Sequence, residues 1–275
     1  MSGAPDEASP SAAPLKPTSG RVKAARRLAR RNSRDELRLF LAEGSKALSE
    51  ALLLDGCVVE VFATTAASEE YADLRRHTES LGLPWQPVTD TALAALSGAV
   101  TPQGVVAVCR HLDVPLADVL AGELLVICAD VRDPGNAGTI IRTADAAGAD
   151  GVVLAGHSVD AYNAKTVRAT VGSLFHVPLA VEPDPAVAVR VAREAGYRVL
   201  AADGAGEVDL FAAGELLGGR VAWLFGNEAW GLPVELAALA DHRVAIPIRG
   251  RAESLNLATA AAVCLYATAY RGAGT

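Results

Sequence analysis

What this chain lacks narrows its possibilities first. It has four cysteines in 275 residues, Cys57, Cys109, Cys128 and Cys264, and none belongs to a Cys-x-x-Cys pair. Isolated cysteines in mostly apolar segments read as buried, reduced thiols of a cytosolic protein, not as a disulfide framework or a zinc site. No apolar run reaches the ~18 residues of a membrane span. The Pro/Ser/Ala-rich amino terminus lacks the pattern of a secretory signal. The sequence also has no Gly-x-Gly-x-x-Gly after the first strand of its C-terminal half: Asp133-Pro134-Gly135-Asn136-Ala137-Gly138 has the wrong spacing for a dinucleotide fingerprint. That argues against a Rossmann dehydrogenase.

Excess positive charge is missing as well. The net charge is −7, which by itself argues against a nucleic-acid partner. Its distribution says more. Between Lys16 and Arg38 lie nine Lys/Arg residues against only Asp35 and Glu36, so the rest of the chain is strongly acidic. A basic segment on an acidic body is an electrostatic footprint that suits phosphates, or else a solvated flexible arm.

Composition and periodicity divide the chain into four parts. Residues 1–20 are rich in Pro, Ala and Ser and are expected to be a disordered tail. Residues 21–110 alternate helices and strands behind a basic helix over 22–32. Helices are expected at 45–54, 68–81 and 89–96, and strands at 58–63 and 104–109. Residues 111–123 form a linker. From 124 to 275 the pattern is β-α-β, with strands at 124–129, 152–155, 177–181, 199–202, 221–225 and 244–248 and helices at 137–147 and 255–270. These strands are apolar throughout, not alternately, so both faces are covered and the sheet is parallel and flanked by helices.

Two strand ends carry unusual turns. Phe225-Gly226-Asn227-Glu228-Ala229-Trp230-Gly231-Leu232 follows one buried strand, and Ile246-Pro247-Ile248-Arg249-Gly250-Arg251-Ala252-Glu253-Ser254-Leu255-Asn256 follows another. Ligands of open α/β sheets bind at the carboxyl ends of strands, so neighbouring turns of this kind suggest one pocket. A plain connector has no need of Asn227-Glu228 or Ser254-Leu255-Asn256.

These two turns, together with Asp133-Pro134-Gly135-Asn136-Ala137-Gly138-Thr139-Ile140-Ile141-Arg142-Thr143-Ala144 and the stretch from Tyr162 to Ser173, resemble in order and spacing the TrmH (SpoU) branch of the SPOUT RNA methyltransferases. The resemblance spans roughly residues 124–270. It implies a SPOUT domain with a C-terminal trefoil knot, which general topology rules would not predict. Phe40-Leu41-Ala42-Glu43-Gly44 and Pro102-Gln103-Gly104-Val105 make residues 21–110 resemble the small α/β, ribosomal-protein-like RNA-binding domain that precedes many such enzymes.

The resemblance implies an S-adenosyl-L-methionine-dependent RNA 2′-O-ribose methyltransferase acting on ribosomal RNA, cytoplasmic and homodimeric, with no metal. A transfer-RNA methyltransferase or a catalytically silent ribosome-assembly factor are the alternatives. It implies a cofactor pocket lined by Phe225, Gly226, Asn227, Glu228, Gly231, Leu232, Ile246, Leu255 and Ala260. It also implies catalytic roles for Arg142, Asn136, Glu228, Ser254 and Asn256. A guanidinium stays protonated, so clamping a phosphate suits Arg142 better than acting as a base. Asn136 would position Arg142 or the ribose, or cap a helix. Glu228 would orient Arg142 or accept a ribose hydroxyl, and Ser254 would cap the last helix or touch substrate. Arg26, Arg27, Arg30, Arg31, Lys165 and Arg168 are the RNA-binding candidates.

Overall fold

Alternate residues of the strand Leu124–Ala129 serve two different cores, and this organises the larger of two sheets. Leu124, Val126 and Cys128 pack with Ala137, Ile140, Ile141, Ala261, Cys264 and Leu265 on one face. Leu125, Ile127 and Ala129 pack with Ala188, Val189, Ala192 and Leu236 on the other. An apolar run with no polar alternation is what burial on both faces requires.

The computed structural model describes residues 13–272. Its first sheet contains β1 (Leu39–Glu43), β2 (Val58–Ala63), β3 (Trp85–Pro87) and β4 (Val105–Arg110), ordered β1-β4-β2-β3. Here β4 runs antiparallel to β1 and β2, and β3 parallel to β2. The second sheet contains β5 (Leu124–Ala129), β6 (Gly151–Ala155), β7 (Leu179–Glu182), β8 (Arg198–Ala202), β9 (Val208–Asp209), β10 (Val221–Phe225) and β11 (His242–Ala245). Its order is β7-β6-β5-β10-β8-β11-β9, and every pair is parallel. The Pro134–Ala146 and Leu257–Gly272 helices pack together on one face. There the buried Trp223 Nε1 donates to Thr268 Oγ1 at 2.9 Å. The Pro185–Glu194 helix covers the other face. Among the described residues no helix is long and apolar enough to cross a membrane.

Several expectations need correction. The first helix of the second sheet starts at Pro134, not 137, because Asp133 caps it and proline suits the first turn. The last helix starts at Leu257, not 255; Asn256 Oδ1 accepts from Ala258 N at 2.9 Å and so takes the capping role considered for Ser254. The strand expected over 244–248 is His242–Ala245, and the chain leaves the sheet before Pro247, which has no N–H to give a ladder. The helix expected over 68–81 is two, Thr65–Glu70 and Ala72–Ser80, broken at Tyr71. Periodicity does not mark strands β1 and β3 or the Pro185–Glu194 helix, all of which the fold contains.

The amino-terminal expectations change more. Residues 1–12 of the expected tail lie outside the described residues, while 13–20 are held against the first sheet. Leu15 N donates to Pro87 O at 2.8 Å, and Thr89 N to Leu15 O at 3.0 Å. The basic segment is not a free arm either. It folds as Gly20–Arg26, a 3₁₀ turn Arg27–Ala29 and Arg31–Leu37, and buries Val22, Ala25 and Leu28 against Leu93 and Val106. Apolar residues three apart give one face of a helix, which leaves Arg26, Arg27 and Arg30 exposed on the other. The 111–123 linker is ordered: Val119 is fully buried, and Val114 N donates to Leu179 O at 2.8 Å.

Charge and aromatic packing join the two sheets. Arg34 is buried; its Nε and Nη2 donate to Asp160 Oδ2 at 2.8 and 2.5 Å, and Nη1 donates to Leu28 O at 2.8 Å. Tyr162 stacks on His111 at 3.8 Å and packs at a tilt against Phe40 at 4.8 Å, and its hydroxyl accepts from Leu112 N and Asp113 N. His176 bridges Asp145 at 2.8 Å and Glu50 at 3.2 Å. Those carboxylates, Asp145 first, raise the His176 pKa above its usual value.

Two outcomes follow. Arg34→Ala strands the Asp160 carboxylate in the interior and should cost about 3–5 kcal/mol of unfolding free energy, read from denaturant titration. His176 binds its proton more tightly folded than unfolded. Its contribution is therefore complete below the usual histidine pKa of about 6.5 and is lost as pH rises through the elevated folded value. Stability measured across that window should fall with pH in the wild-type chain and fall less steeply in His176→Gln.

Candidate active site

Parallel pairing of β5 with β10, with Cys128 opposite Phe225, brings the turns after these strands side by side. Asn227 locks them: its Nδ2 donates to Asp130 O at 2.7 Å, and Oδ1 accepts from Ala229 N at 2.8 Å. Asn227 and Gly231 exchange backbone bonds of 2.9 and 3.0 Å, closing a tight turn around Glu228, Ala229 and Trp230. This turn demands its glycines. Gly231 has φ +70°, and a Cβ on Gly226 would lie 2.4 Å from the Gly231 carbonyl carbon.

Glu228 projects from this turn onto the amino end of the Pro134–Ala146 helix. One carboxylate oxygen accepts from Arg132 N at 3.2 Å; the other accepts from Asp133 N at 3.0 Å and from Asn136 Nδ2 at 3.3 Å. A helix amino terminus has unpaired N–H groups and a partial positive charge, so a carboxylate is stabilised there. The cap that frames it, Asp133, accepts from Asn136 N at 2.8 Å. That backbone bond, with Lys165 3.5 Å away, holds the Asp133 carboxyl below its usual range.

Asn136 then reaches the third turn, its Oδ1 accepting from Asn256 Nδ2 at 3.0 Å. An amide is the short side chain that can donate to Glu228 and accept from Asn256 at once, whereas a carboxylate could only accept. The structure therefore brings Asn136, Glu228 and Asn256, from the segments that follow β5, β10 and β11, into one hydrogen-bonded cluster.

The remaining predicted residues fall into distinct places. Phe225 is fully buried core, and Asn227 is buried and spent on holding the turn. Gly226, Gly231 and half-buried Leu232 shape the β10 turn; half-buried Ile246 and exposed Leu255 bound the strap after β11. Residues 246–255 exchange no backbone–backbone hydrogen bond with any described residue, so their N–H and C=O groups remain free. Ala260 lies in the first turns of the last helix, half-buried. Ser254 is exposed and makes no hydrogen bond within the described chain.

Arg142 does not join the cluster. Six residues after Asn136 on the same helix, it sits about 9 Å further along and about 240° round the axis. Its side chain is exposed and unpaired among the described residues, so Glu228 does not orient it within one chain. Lys165 stands beside Asp133, while Arg168 pairs with Glu43 across the domain junction at 3.3 Å.

Sequence reasoning missed Asp133, whose signal was an Asp-Pro opening a helix, and the exposed pair Arg132 and Trp230. Burial pushes the nearby Cys128 thiol up to about 12, with the Glu228 charge adding to it, so this thiol is no nucleophile. Among the described residues no group of three or more His, Cys, Asp or Glu could hold a metal ion. A cavity of about 740 Å³, lined by Arg190, Arg193, Tyr197, Arg198 and His242, opens at the amino ends of β8 and β11, away from this cluster.

Comparison with known proteins matches two stretches of the chain. A model of the SpoU rRNA Methylase family matches residues 123–266, and one of the MRM3-like substrate binding domain matches residues 20–107. The 23S rRNA (guanosine(2553)-2'-O)-methyltransferase RlmP of Bacillus subtilis (strain 168) is 34% identical over 248 residues, 90% of this chain and 94% of that protein. A 23S rRNA (uridine(2479)-2'-O)-methyltransferase of Streptomyces viridochromogenes is 42% identical over 142 residues, 48% of this chain and 47% of that one. Among solved structures, an AdoMet-bound rRNA methyltransferase from Sinorhizobium meliloti superposes with a TM-score of 0.82 at 37% identity, covering 94% of this chain and 98% of that one. With a family model over half its length and a relative matched almost end to end, this chain belongs to the SpoU rRNA methylase family.

Proposed function

We propose that this protein is an S-adenosyl-L-methionine-dependent RNA methyltransferase that modifies a ribose 2′-hydroxyl of ribosomal RNA. The observation that carries the reading is the Asn136–Glu228–Asn256 cluster, built from the segments that follow β5, β10 and β11. Family membership and the near full-length likeness to RlmP, named a 23S rRNA 2'-O-methyltransferase, support the substrate class.

The residues present fit the cofactor. The strap 246–255 offers unpaired backbone donors and acceptors for an adenine edge, and Leu232, Ile246 and Leu255 offer partly exposed apolar surface. When bound, S-adenosyl-L-methionine supplies an electrophilic methyl group on sulfur. The chain's own task is alignment of the ribose oxygen and control of its proton. Glu228, held by three donors, and Asn256 fix the loops that flank the ribose, with Ser254 exposed beside them. Arg142 clamps a phosphate next to the target nucleotide through its paired N–H groups.

RNA contact extends to the first domain through exposed Arg26, Arg27, Arg30 and Arg31 and, on the second, Lys165. Arg168 is committed to Glu43 and contributes by holding the domains together. A homodimer and a threaded C-terminal tail belong to the same reading. The dimer is supported by Phe211, Tyr266 and Tyr270, exposed around a groove of about 430 Å³ beside the last helix. A cytoplasmic location would follow from the ribosomal substrate.

Arg142→Ala should lower methyl transfer on the order of 10²–10³-fold while leaving cofactor affinity close to wild type. A tritiated-methyl assay beside calorimetry checks both, and full activity would refute the assignment. Because the basic segment is part of a folded domain, charge removal tests it better than deletion. Replacing Arg26, Arg27 and Arg30 with Gln should weaken rRNA binding and flatten its salt dependence by about 0.7–0.9 in log–log slope for each phosphate left without its arginine. An unchanged slope would show these arginines to be incidental.

A further inference from the structure

The chain has three tryptophans, and their surroundings differ sharply. Trp85 and Trp223 are buried, and each indole N–H is satisfied, by Ser68 Oγ at 3.0 Å and Thr268 Oγ1 at 2.9 Å. Trp230 is 55% exposed, and its N–H has no partner among the described residues. Burying an indole usually supplies a large apolar gain and a hydrogen bond for the N–H. Trp230 has neither, so packing of this chain does not account for it.

Nor does a loose loop. Trp230 lies inside the turn closed by the reciprocal Asn227 and Gly231 backbone bonds, and Ala229 N is held by Asn227 Oδ1. Two residues earlier, Glu228 is bound to Arg132 N, Asp133 N and Asn136 Nδ2. The backbone that carries the ring is therefore fixed relative to the cluster. The Arg132 guanidinium lies 5.0 Å from its centroid, and Arg132 is exposed with no carboxylate partner among the described residues. A cation over an indole is an electrostatic attraction that also organises the ring. The result, an indole beside a guanidinium at the rim of the site, presents a π-surface and a cation that have only each other as partners among the described residues.

We propose that Trp230, organised by Arg132, is a stacking platform for an unpaired nucleobase next to the ribose presented to the Asn136–Glu228–Asn256 cluster. Proteins read single-stranded RNA by stacking splayed bases on aromatic rings and arginine planes. An indole suits any base, so this interaction supplies affinity and position with little sequence preference. It differs from the arginines of the first domain, which meet phosphates and so act through salt-dependent charge. The proposal rests on the RNA-methyltransferase reading, and the test separates the two.

Binding of a short single-stranded oligoribonucleotide and of the same sequence as a duplex is measured for wild type, Trp230→Phe and Trp230→Ala, with thermal melting as a check of folding. Single-strand affinity should fall on the order of 5- to 100-fold in Trp230→Ala, as expected when one base is no longer stacked. It should fall with an unchanged salt slope, recover in good part in Trp230→Phe, and leave duplex and cofactor affinity unaltered. Trp230 is the one exposed indole, so the single strand should also protect the iodide-accessible part of the wild-type fluorescence.

Wild-type binding with undiminished affinity in Trp230→Ala would overturn the platform and leave the RNA reading intact. Loss of cofactor affinity in that variant would reassign the indole to the cofactor. Fluorescence inaccessible to iodide before any RNA is added would assign it to an interface between copies of the chain. Absence of any RNA binding by the wild-type enzyme, rRNA included, would remove the underlying reading itself.

Discussion

Glu228 carries a charge with no cation paired to it among the described residues, and the candidate site depends on how that charge is held. Its two oxygens take backbone N–H groups of Arg132 and Asp133 and the amide of Asn136. Two come from the residues that lead into one helix and the third from its first turn, where the helix dipole favours an anion. One carboxylate thus joins the β10 turn to the β5 turn, and Asn136 carries the connection on to Asn256 and the last helix. Asn256 in turn caps that helix, so the helix is anchored at its first residues to the same cluster.

Such an arrangement uses buried structure to fix exposed chemistry. The backbone of the β10 turn is held by an asparagine that is itself buried, and the strands beneath it are apolar on both faces. The polar groups above, Glu228, Asn256 and Ser254, stay exposed, and the strap after β11 keeps its backbone groups unpaired. A rigid scaffold below and exposed polar groups above is the distribution expected of a ligand-binding site.

The two domains are joined by a different chemistry. Arg34–Asp160, Arg168–Glu43 and His176–Glu50 are interactions between residues more than a hundred positions apart, around the aromatic cluster of Phe40, Tyr162 and His111. A buried ion pair contributes little net stability over an apolar substitute, yet its loss on one side is costly. It therefore specifies one arrangement of the domains. This is why several cations of the sequence, Arg34 and Arg168 among them, serve the junction even though they lie in stretches that look like RNA-contact segments.

The sequence alone determined the parallel sheet flanked by helices, most strand positions in that sheet and the motif turns that follow them. Those features depend on local apolar runs, on glycines in tight turns and on polar residues clustered in the turns between apolar segments. Tertiary structure decided which polar residue meets which: that Asp133 and Asn256, not Asn136 and Ser254, cap their helices, that Asn136 bridges two loops, and that Arg142 stands apart. It also turned an apparent basic arm into a packed helix pair, because the burial of Val22, Ala25 and Leu28 depends on strands and helices folded from residues some eighty positions away. Hydrogen bonds and ion pairs across such distances depend on relative positions that no local pattern encodes, and so they became visible only once the chain was folded.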